Sequence, residues 1–446
     1  MNMIICGAGE VGWHVAETFA ARKNNITMID QQPERLRAIE DALDVRTLLG
    51  NAADAEVLLE AGAETADLVL ASTDRDEVNL LSASIAKGVG AAQAIARVHH
   101  PAYFEQRGLD YQRHLGIDWM ICPEYATSQA MARLLRNPGA LAIEEFARGR
   151  IELQEFHVGE SAPGVGRRLI DVEMPPGCRL AAVKRDRQAF LPEATTVVLP
   201  DDSVVMVGNR DVFQQACRQF AEKSPGRRKI VLMGGTPMAV WLCRSLREQE
   251  FAIRLFETNR ARAEQLANEL DWVTIIQADP TDRTVFQEEH LSQADVFVAL
   301  LDDDEANIIG CVLAKSLGVS EVMAVVQRSN FLDLLYDIGV DRPFSPRMVA
   351  AKEIEELLDE SPLRQIASLA AGYIDVFRVR IGAGAEVLDR PLREIRLTPQ
   401  AMIVAVQRGR DVHVPAADDV LQARDIVLVV GKHGEEATLR KVFDAR

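Results

Sequence analysis

Met3-Ile4-Ile5-Cys6-Gly7-Ala8-Gly9-Glu10-Val11-Gly12 opens the chain, and Asp30 follows 23 residues after Gly7. An apolar strand that runs into three spaced glycines, then a helix, then an acid is the order a nucleotide-binding βαβ unit requires. The first glycine turns the chain, the second lets a pyrophosphate approach the backbone, and the third allows close helix packing. The helix start then offers free N–H donors and a partial positive charge to phosphate. Asp30 stands where a carboxylate accepts hydrogen bonds from ribose hydroxyls, and where a 2′-phosphate would be repelled.

Working outward, the chain repeats itself. Ile230-Val231-Leu232-Met233-Gly234-Gly235-Thr236-Pro237-Met238-Ala239 retraces the opening stretch, and Glu257 falls 23 residues after Gly234. Asp302-Asp303-Asp304-Glu305-Ala306-Asn307 matches Asp74-Arg75-Asp76-Glu77-Val78-Asn79. A second pair of segments, 151–220 and 374–443, aligns without a gap at an offset of 223, pairing Gly159 with Gly382, Arg167 with Arg390 and Asp202 with Asp425. The order is N-C-N-C, with expected boundaries at 1–136, 140–222, 228–358 and 362–446.

In each large module, short apolar strands alternate with helices. The first has strands expected at Met3–Cys6, Ile26–Ile29, Val45–Leu48, Leu68–Ala71, Ala94–Val98 and Met120–Cys122. The second has five, at Lys229–Met233, Ile253–Phe256, Val273–Ile276, Val296–Leu300 and Val322–Val326. This alternation implies an α/β protein with two Rossmann-like, doubly wound parallel sheets. A helical connector follows each sheet, Tyr125–Leu135 and Met348–Leu358, the first ending at Asn137-Pro138-Gly139. Each small module reads as α+β, with strands near Leu153–Val158, Leu180–Lys184 and Ser203–Val207 and a closing helix at Val212–Phe220. It has no glycine loop and no titratable cluster, which suits packing, oligomer contact or a second small ligand.

Composition narrows the function. The 446 residues carry a net charge of −17, and such a surface repels phosphate backbones, so nucleic acid is not an expected partner. The six cysteines form no Cys-x-x-Cys pair or zinc spacing, which fits a reducing compartment. The chain enters a strand almost at once, leaving no room for a signal peptide, and no apolar run approaches a spanning helix. A cytoplasmic protein is expected, with any membrane role exercised through a partner. No P-loop, catalytic triad or paired general acid stands out. His99-His100 lacks a ligand partner at metal spacing, and the acids 302–305 read as a helix start rather than a cation site.

The binding residues expected in the first module are Gly7, Gly9, Glu10, Val11, Gly12, Asp30, Arg35, Ala52 and Arg97. Arg35 lies five residues after Asp30, as Arg262 does after Glu257. Both could contact ribose, adenine or phosphate, or belong to a solvated helix face. Arg97 ends an apolar strand, and two readings stand for it: a phosphate contact across a subunit boundary, or a structural ion pair. The second module offers Gly234, Gly235, Glu257 and Arg262. Its loop is degraded, because the Cβ of Thr236 crowds a pyrophosphate.

These features together resemble the TrkA family, the regulatory subunits of bacterial Trk potassium uptake. The segments Arg46-Thr47-Leu48-Leu49-Gly50-Asn51, Ala63-Glu64-Thr65-Ala66-Asp67, Asp302-Glu305-Ala306-Asn307 and Val326-Gln327-Arg328 carry the likeness across essentially the whole chain. The large modules are similar to RCK or KTN nucleotide-binding domains and the small ones to RCK C-terminal domains. The resemblance implies a non-catalytic homo-oligomer, a tetrameric ring at the inner face of the membrane. Its partner is a membrane-embedded potassium-translocating Trk subunit, and its ligands are ATP, ADP and NAD(H). It implies that Gly7, Gly9, Gly12, Asp30, Asn51 and Thr73 form the first site. It leaves Glu257 and Asp279 in the second site, and Asn51 departs mildly from the aspartate or similar polar residue usual there in the family. The competing readings are an NAD-dependent oxidoreductase, which would turn cofactor over, and a scaffold that binds no nucleotide.

Overall fold

The computed structural model describes residues 1–446 except 105–107, 137–139, 148–149, 187, 222–226, 248–250, 329–331, 359–360, 396, 398–399, 410 and 446. The expected Asn137-Pro138-Gly139 end of the first connector lies outside the described residues.

In the first large domain, the strands are β1 (Asn2–Cys6), β2 (Asn25–Asp30), β3 (Arg46–Leu49), β4 (Leu68–Ala71), β5 (Gln93–Arg97) and β6 (Trp119–Ile121). All pair in parallel, in the order β3-β2-β1-β4-β5-β6. Met3–Cys6 and Leu68–Ala71 are buried throughout, as the central strands of a sheet covered on both faces must be. The chain leaves β1 toward one edge of the sheet and returns to begin β4 on the other side. A crevice therefore opens at the carboxyl ends of β1 and β4, where ligands bind in such sheets.

The first small domain holds β7 (Ala140–Phe146), β8 (Ile151–His157), β9 (Cys178–Arg185), β10 (Gln188–Phe190) and β11 (Ser203–Asn209), an antiparallel sheet in the order β10-β9-β11-β8-β7. The second large domain repeats the parallel order with β12 (Arg228–Met233), β13 (Phe251–Phe256), β14 (Thr274–Ile276), β15 (Val296–Ala299), β16 (Glu321–Val325) and β17 (Arg342–Phe344). The second small domain repeats the antiparallel one with β18 (Leu363–Leu369), β19 (Ile374–Arg380), β20 (Ala401–Arg408), β21 (Asp411–His413) and β22 (Ile426–Lys432).

The sheets do not stand as four separate bodies. Met1–Ala132 and Gly226–Leu358 form one compact unit; Arg133–Pro225 and Asp359–Arg446 form a second. In the first unit, the connector helix Pro346–Leu358 lays Ala350, Ala351, Ile354 and Leu358 into the core built by Val11, Val15 and Phe19 of the opening helix. Trp241 enters the opposite core of the first sheet and meets Tyr125 edge-on, ring centroids 5.6 Å apart. In the second unit, Leu153, Val205 and Val207 share a core with Val376, Leu428 and Val430. Each repeat thus covers the apolar face its counterpart would otherwise expose, which drives like modules together.

Small polar residues lock the parallel sheets. Asn79 is fully buried; its Oδ1 accepts from the Thr73 amide at 2.7 Å, and its Nδ2 donates to the carbonyls of Thr73 and Arg97 at 3.0 Å each. It thereby ties the ends of β4 and β5. Asn307 repeats this, with the Leu301 amide at 2.9 Å and the Leu301 and Val325 carbonyls at 2.7 and 2.9 Å. Asp76 accepts from the amides of His99 and His100, as Asp304 does from those of Gln327 and Arg328. The acidic run 302–305 is therefore a helix start with Asp303 as its cap, and Asp304 is occupied in holding the next loop. Asn79→Ala strands three backbone groups at once. A loss of about 1.5–3 kcal/mol in urea unfolding is expected, since an unmet buried polar group costs about 1–3; a loss below about 0.5 kcal/mol would overturn this role for Asn79.

Candidate functional site

The residues expected in the first module converge. Gly7, Gly9, Glu10, Val11, Asp30, Arg35, Asn51, Ala52, Thr73 and Arg97 all line one cavity of about 1030 Å³ at the carboxyl ends of β1 and β4. That volume suits a ligand of nucleotide or dinucleotide size.

Each glycine has a physical reason. Gly7 adopts φ +105°, and a Cβ there would stand 2.9 Å from the Ser72 carbonyl and the Thr73 amide. Gly12 lies under the loop rather than in the cavity, and its Cβ would stand 2.0 Å from the Gly7 carbonyl oxygen. Gly9 differs from both: a Cβ would meet nothing closer than an Arg35 nitrogen at 4.0 Å, so its open side faces the cavity. Gly9 also caps the helix Glu10–Ala20 without any side-chain bond. The first N–H groups of that helix are left for a ligand, as an anion site needs.

Asp30 holds the loop in place. Its Oδ2 accepts from the Ala8 amide at 2.7 Å and its Oδ1 from the Gln32 amide at 2.8 Å. A carboxylate has about four lone-pair sites, so capacity remains for ribose hydroxyls. Asn51 accepts from the Ala53 amide at 3.1 Å and shapes the turn that carries Ala52 into the cavity.

Of its two expected readings, Arg97 shows the structural ion pair. It lines the cavity of its own chain, and its Nη2 lies 3.4 Å from Glu124 Oε1. His99 Nδ1 lies 2.8 Å from the same oxygen. Burial pushes the Glu124 carboxyl up, but the His99 bond and the charges of His99 and Arg97 outweigh it and hold the carboxyl below its usual range. The Arg97 Nε is buried without a hydrogen-bond partner. No group of three or more potential metal ligands occurs among the described residues. The Cys6 thiol, buried behind the loop, is pushed up to about 12 by desolvation and is not a nucleophile at neutral pH.

The second glycine loop keeps the same backbone scheme, with side chains packed against its glycines. Gly234 adopts φ +103°, and a Cβ would stand 2.7 Å from Leu301 Cδ2. At Gly235, a Cβ would stand 2.5 Å from Leu266 Cδ1 and 2.7 Å from Glu257 Oε2. Glu257 accepts from the Gly235 amide at 2.9 Å, and Arg262 Nε donates to the Gly235 carbonyl at 2.8 Å. Asp279 accepts from the Thr281 amide and hydroxyl within its own turn. Thr236 caps the helix Pro237–Ser245 with its own hydroxyl, 3.4 Å from the Ala239 amide, and Pro237 has no N–H to give.

Sequence reasoning did not foresee that the second repeat contributes to the first cavity. Arg347, from the first turn of the helix Pro346–Leu358, lines it together with Gln327 and Met348 of the second repeat. Its Nη2 pairs with Glu10 Oε2. Only the packing of one repeat on the other brings it there. The one sequence signal is that Pro346-Arg347 stands, at the repeat offset of 223, where the first copy has Pro123-Glu124.

Comparison with known proteins agrees with this architecture. The TrkA-N domain family matches residues 3–123 and 230–346, and the TrkA-C domain family matches 153–221 and 376–444. A Trk system potassium uptake protein TrkA homolog of Archaeoglobus fulgidus is 31% identical over 443 residues, covering 99% of this chain and all of that protein. The Trk system potassium uptake protein TrkA of Vibrio alginolyticus is 31% identical, covering 96% and 95%. In fold, the chain is similar to the GsuK channel bound to NAD, with TM-score 0.62 and 17% identity over 100% of this chain and 79% of that one. The ADP-bound GsuK structure gives 0.53 and 12% over 80% and 69%. Two TrkA-N and two TrkA-C domains in alternation, with relatives matched end to end, place this chain in the TrkA family of Trk system potassium uptake proteins.

Proposed function

We propose that this chain is the nucleotide-binding regulatory subunit of a potassium uptake system, and that it changes the conformation of a membrane-embedded partner according to the ligand it holds. The observation that carries this reading is the first glycine loop. It has an open side at Gly9, an uncapped helix start, and an acid with spare acceptor capacity, all in one cavity of a TrkA-family chain. ADP, ATP and NAD(H) are the proposed ligands; the Asp30 carboxylate disfavours a 2′-phosphate. No helix among the described residues is long and apolar enough to cross a membrane, which fits attachment to the inner face through that partner. A homo-oligomeric ring is proposed on family grounds. We propose that it acts by binding rather than by turnover, shifting an equilibrium through the ligand's difference in affinity for two states.

One ligand per chain is proposed. The second loop has Thr236 where the first has Gly9, and the Thr236 hydroxyl caps the helix start that a phosphate would use.

Titration calorimetry of the purified protein with ADP, ATP, NADH and NADPH tests both points. Binding of adenine nucleotides at one per chain, with NADPH weaker, is expected. Absence of binding by all four would remove the sensor reading, and steady consumption of NADH would favour an oxidoreductase. Asp30→Ala is expected to weaken binding by about 1.5–3 kcal/mol, the range for hydrogen bonds to a charged group. An unchanged affinity would overturn the assignment of Asp30.

A further inference from the structure

The first cavity draws residues from two repeats, and the contribution of the second is cationic. Arg347 is 15% exposed, and its guanidinium rests against the Glu10 carboxylate, which is 60% exposed. Glu10 is the first residue of the helix Glu10–Ala20. It therefore stands at the helix start that an incoming phosphate would approach. A phosphate there and the Glu10 carboxylate repel each other, and both attract the same guanidinium. A planar guanidinium fork suits either partner.

From this geometry we infer that Arg347 is a nucleotide-binding residue that the second repeat supplies to the first repeat's site, and that the ligand's phosphates take it over from Glu10. The inference rests on the proposal that the first cavity binds nucleotides. Its ligand class is narrower: nucleotides with at least one phosphate beyond the nucleoside. Burial draws the Arg347 proton affinity down, to about 10, and it remains a cation at neutral pH. Glu10 serves as a placeholder, keeping a buried cation paired until the ligand arrives. Binding then bridges the two glycine-loop domains within one chain, because one end of the ligand is held by Gly9 and Asp30 and the other by Arg347.

The test is a calorimetric series with adenosine, AMP, ADP and ATP on the full chain and on Arg347→Gln, Arg347→Lys and Glu10→Gln. Arg347→Gln is expected to weaken ADP and ATP by about tenfold to a hundredfold, as loss of a charge-assisted hydrogen bond would, while adenosine binds as before. Arg347→Lys recovers part of the loss. Glu10→Gln is expected to tighten ADP and ATP several-fold, because the competitor loses its charge. Equal losses for adenosine and ATP in Arg347→Gln would make Arg347 a structural residue and overturn the inference. Glu10→Gln keeps Arg347 and the fold in place, so it decides the matter even where Arg347→Gln unfolds; no tightening overturns the exchange. If the unmodified protein binds none of the four, the functional proposal itself fails. If it binds and the variants match it, only the role of Arg347 is lost.

Discussion

Gly9→Val is expected to abolish nucleotide binding, by a hundredfold or more in affinity, and to leave the fold almost untouched. A Cβ at Gly9 meets only an Arg35 nitrogen at 4.0 Å, so the protein itself has room for a side chain. The room is the cavity, and the branched side chain fills the place where a pyrophosphate approaches the backbone. Gly12→Ala is its mirror image. There a single added carbon would stand 2.0 Å from the Gly7 carbonyl, so the helix has to move off the loop. A destabilisation of about 2–3 kcal/mol is expected, in the range for overpacking, with binding lost as a consequence. Urea unfolding and calorimetry on the two variants separate these cases. A Gly9→Val protein that binds ADP normally, or a Gly12→Ala protein as stable as its parent, would contradict the roles given to the two glycines.

Asp425→Ala and Asp202→Ala are each expected to destabilise the second unit markedly. Asp425 is 2% exposed, and it accepts from Arg408 Nε at 2.9 Å, Arg408 Nη2 at 2.7 Å and the Gln422 amide at 2.8 Å. Asp202 repeats the arrangement with Arg185 Nε at 2.9 Å, Nη2 at 2.8 Å and the Leu199 amide at 2.8 Å. Removing one partner of a buried pair costs about 3–5 kcal/mol. The two arginines are 35% and 43% exposed and can turn to water, so about 2–3 kcal/mol is the expected loss per site. Asp425→Asn removes the charge that holds the Arg408 guanidinium, so it should cost nearly as much. Unfolding of Asp202→Ala, Asp425→Ala and the double variant checks this. Additivity is expected, because each aspartate has its own arginine and loop. Losses below about 0.5 kcal/mol would show the pair to be ornamental.

The sequence made the parallel sheets legible because their evidence is local. Each strand is a short apolar run and each helix follows at regular spacing, so the expected strands agree with β1–β6 to within a residue or two. The sixth strand of the second large domain, β17 (Arg342–Phe344), escaped because Arg342 and Pro343 hide a strand of three residues. The edge strands β7, β10, β18 and β21 escaped for a related reason: a strand bonded on one side need not be continuously apolar.

The candidate site divides in the same way. Gly7, Gly9, Gly12 and Asp30 were readable because backbone geometry prescribes them at fixed spacing. Asp76 and Asn79 recurred in the repeat as Asp304 and Asn307, yet their function as clamps on β4, β5 and the following loop depends on carbonyls far along the chain. The alignment of Asp202 with Asp425 was likewise visible without its meaning, since a conserved offset does not reveal an arginine partner 17 residues earlier. Arg347 lay beyond reach, because its neighbour Glu10 is 337 residues away in sequence (347 minus 10).

The packing of one repeat on its counterpart has a consequence for how the molecule could diversify. In a homodimer with a two-fold axis, any residue at a subunit boundary stands on both sides of it, and a change made for one side is imposed on the other. Joining the two halves in one polypeptide lifts that constraint. Position 124 carries a carboxylate and its counterpart, position 347, a guanidinium; two identical subunits could not have differed there. Within one chain, equivalent positions of the two repeats can therefore carry opposite charges, as 124 and 347 do.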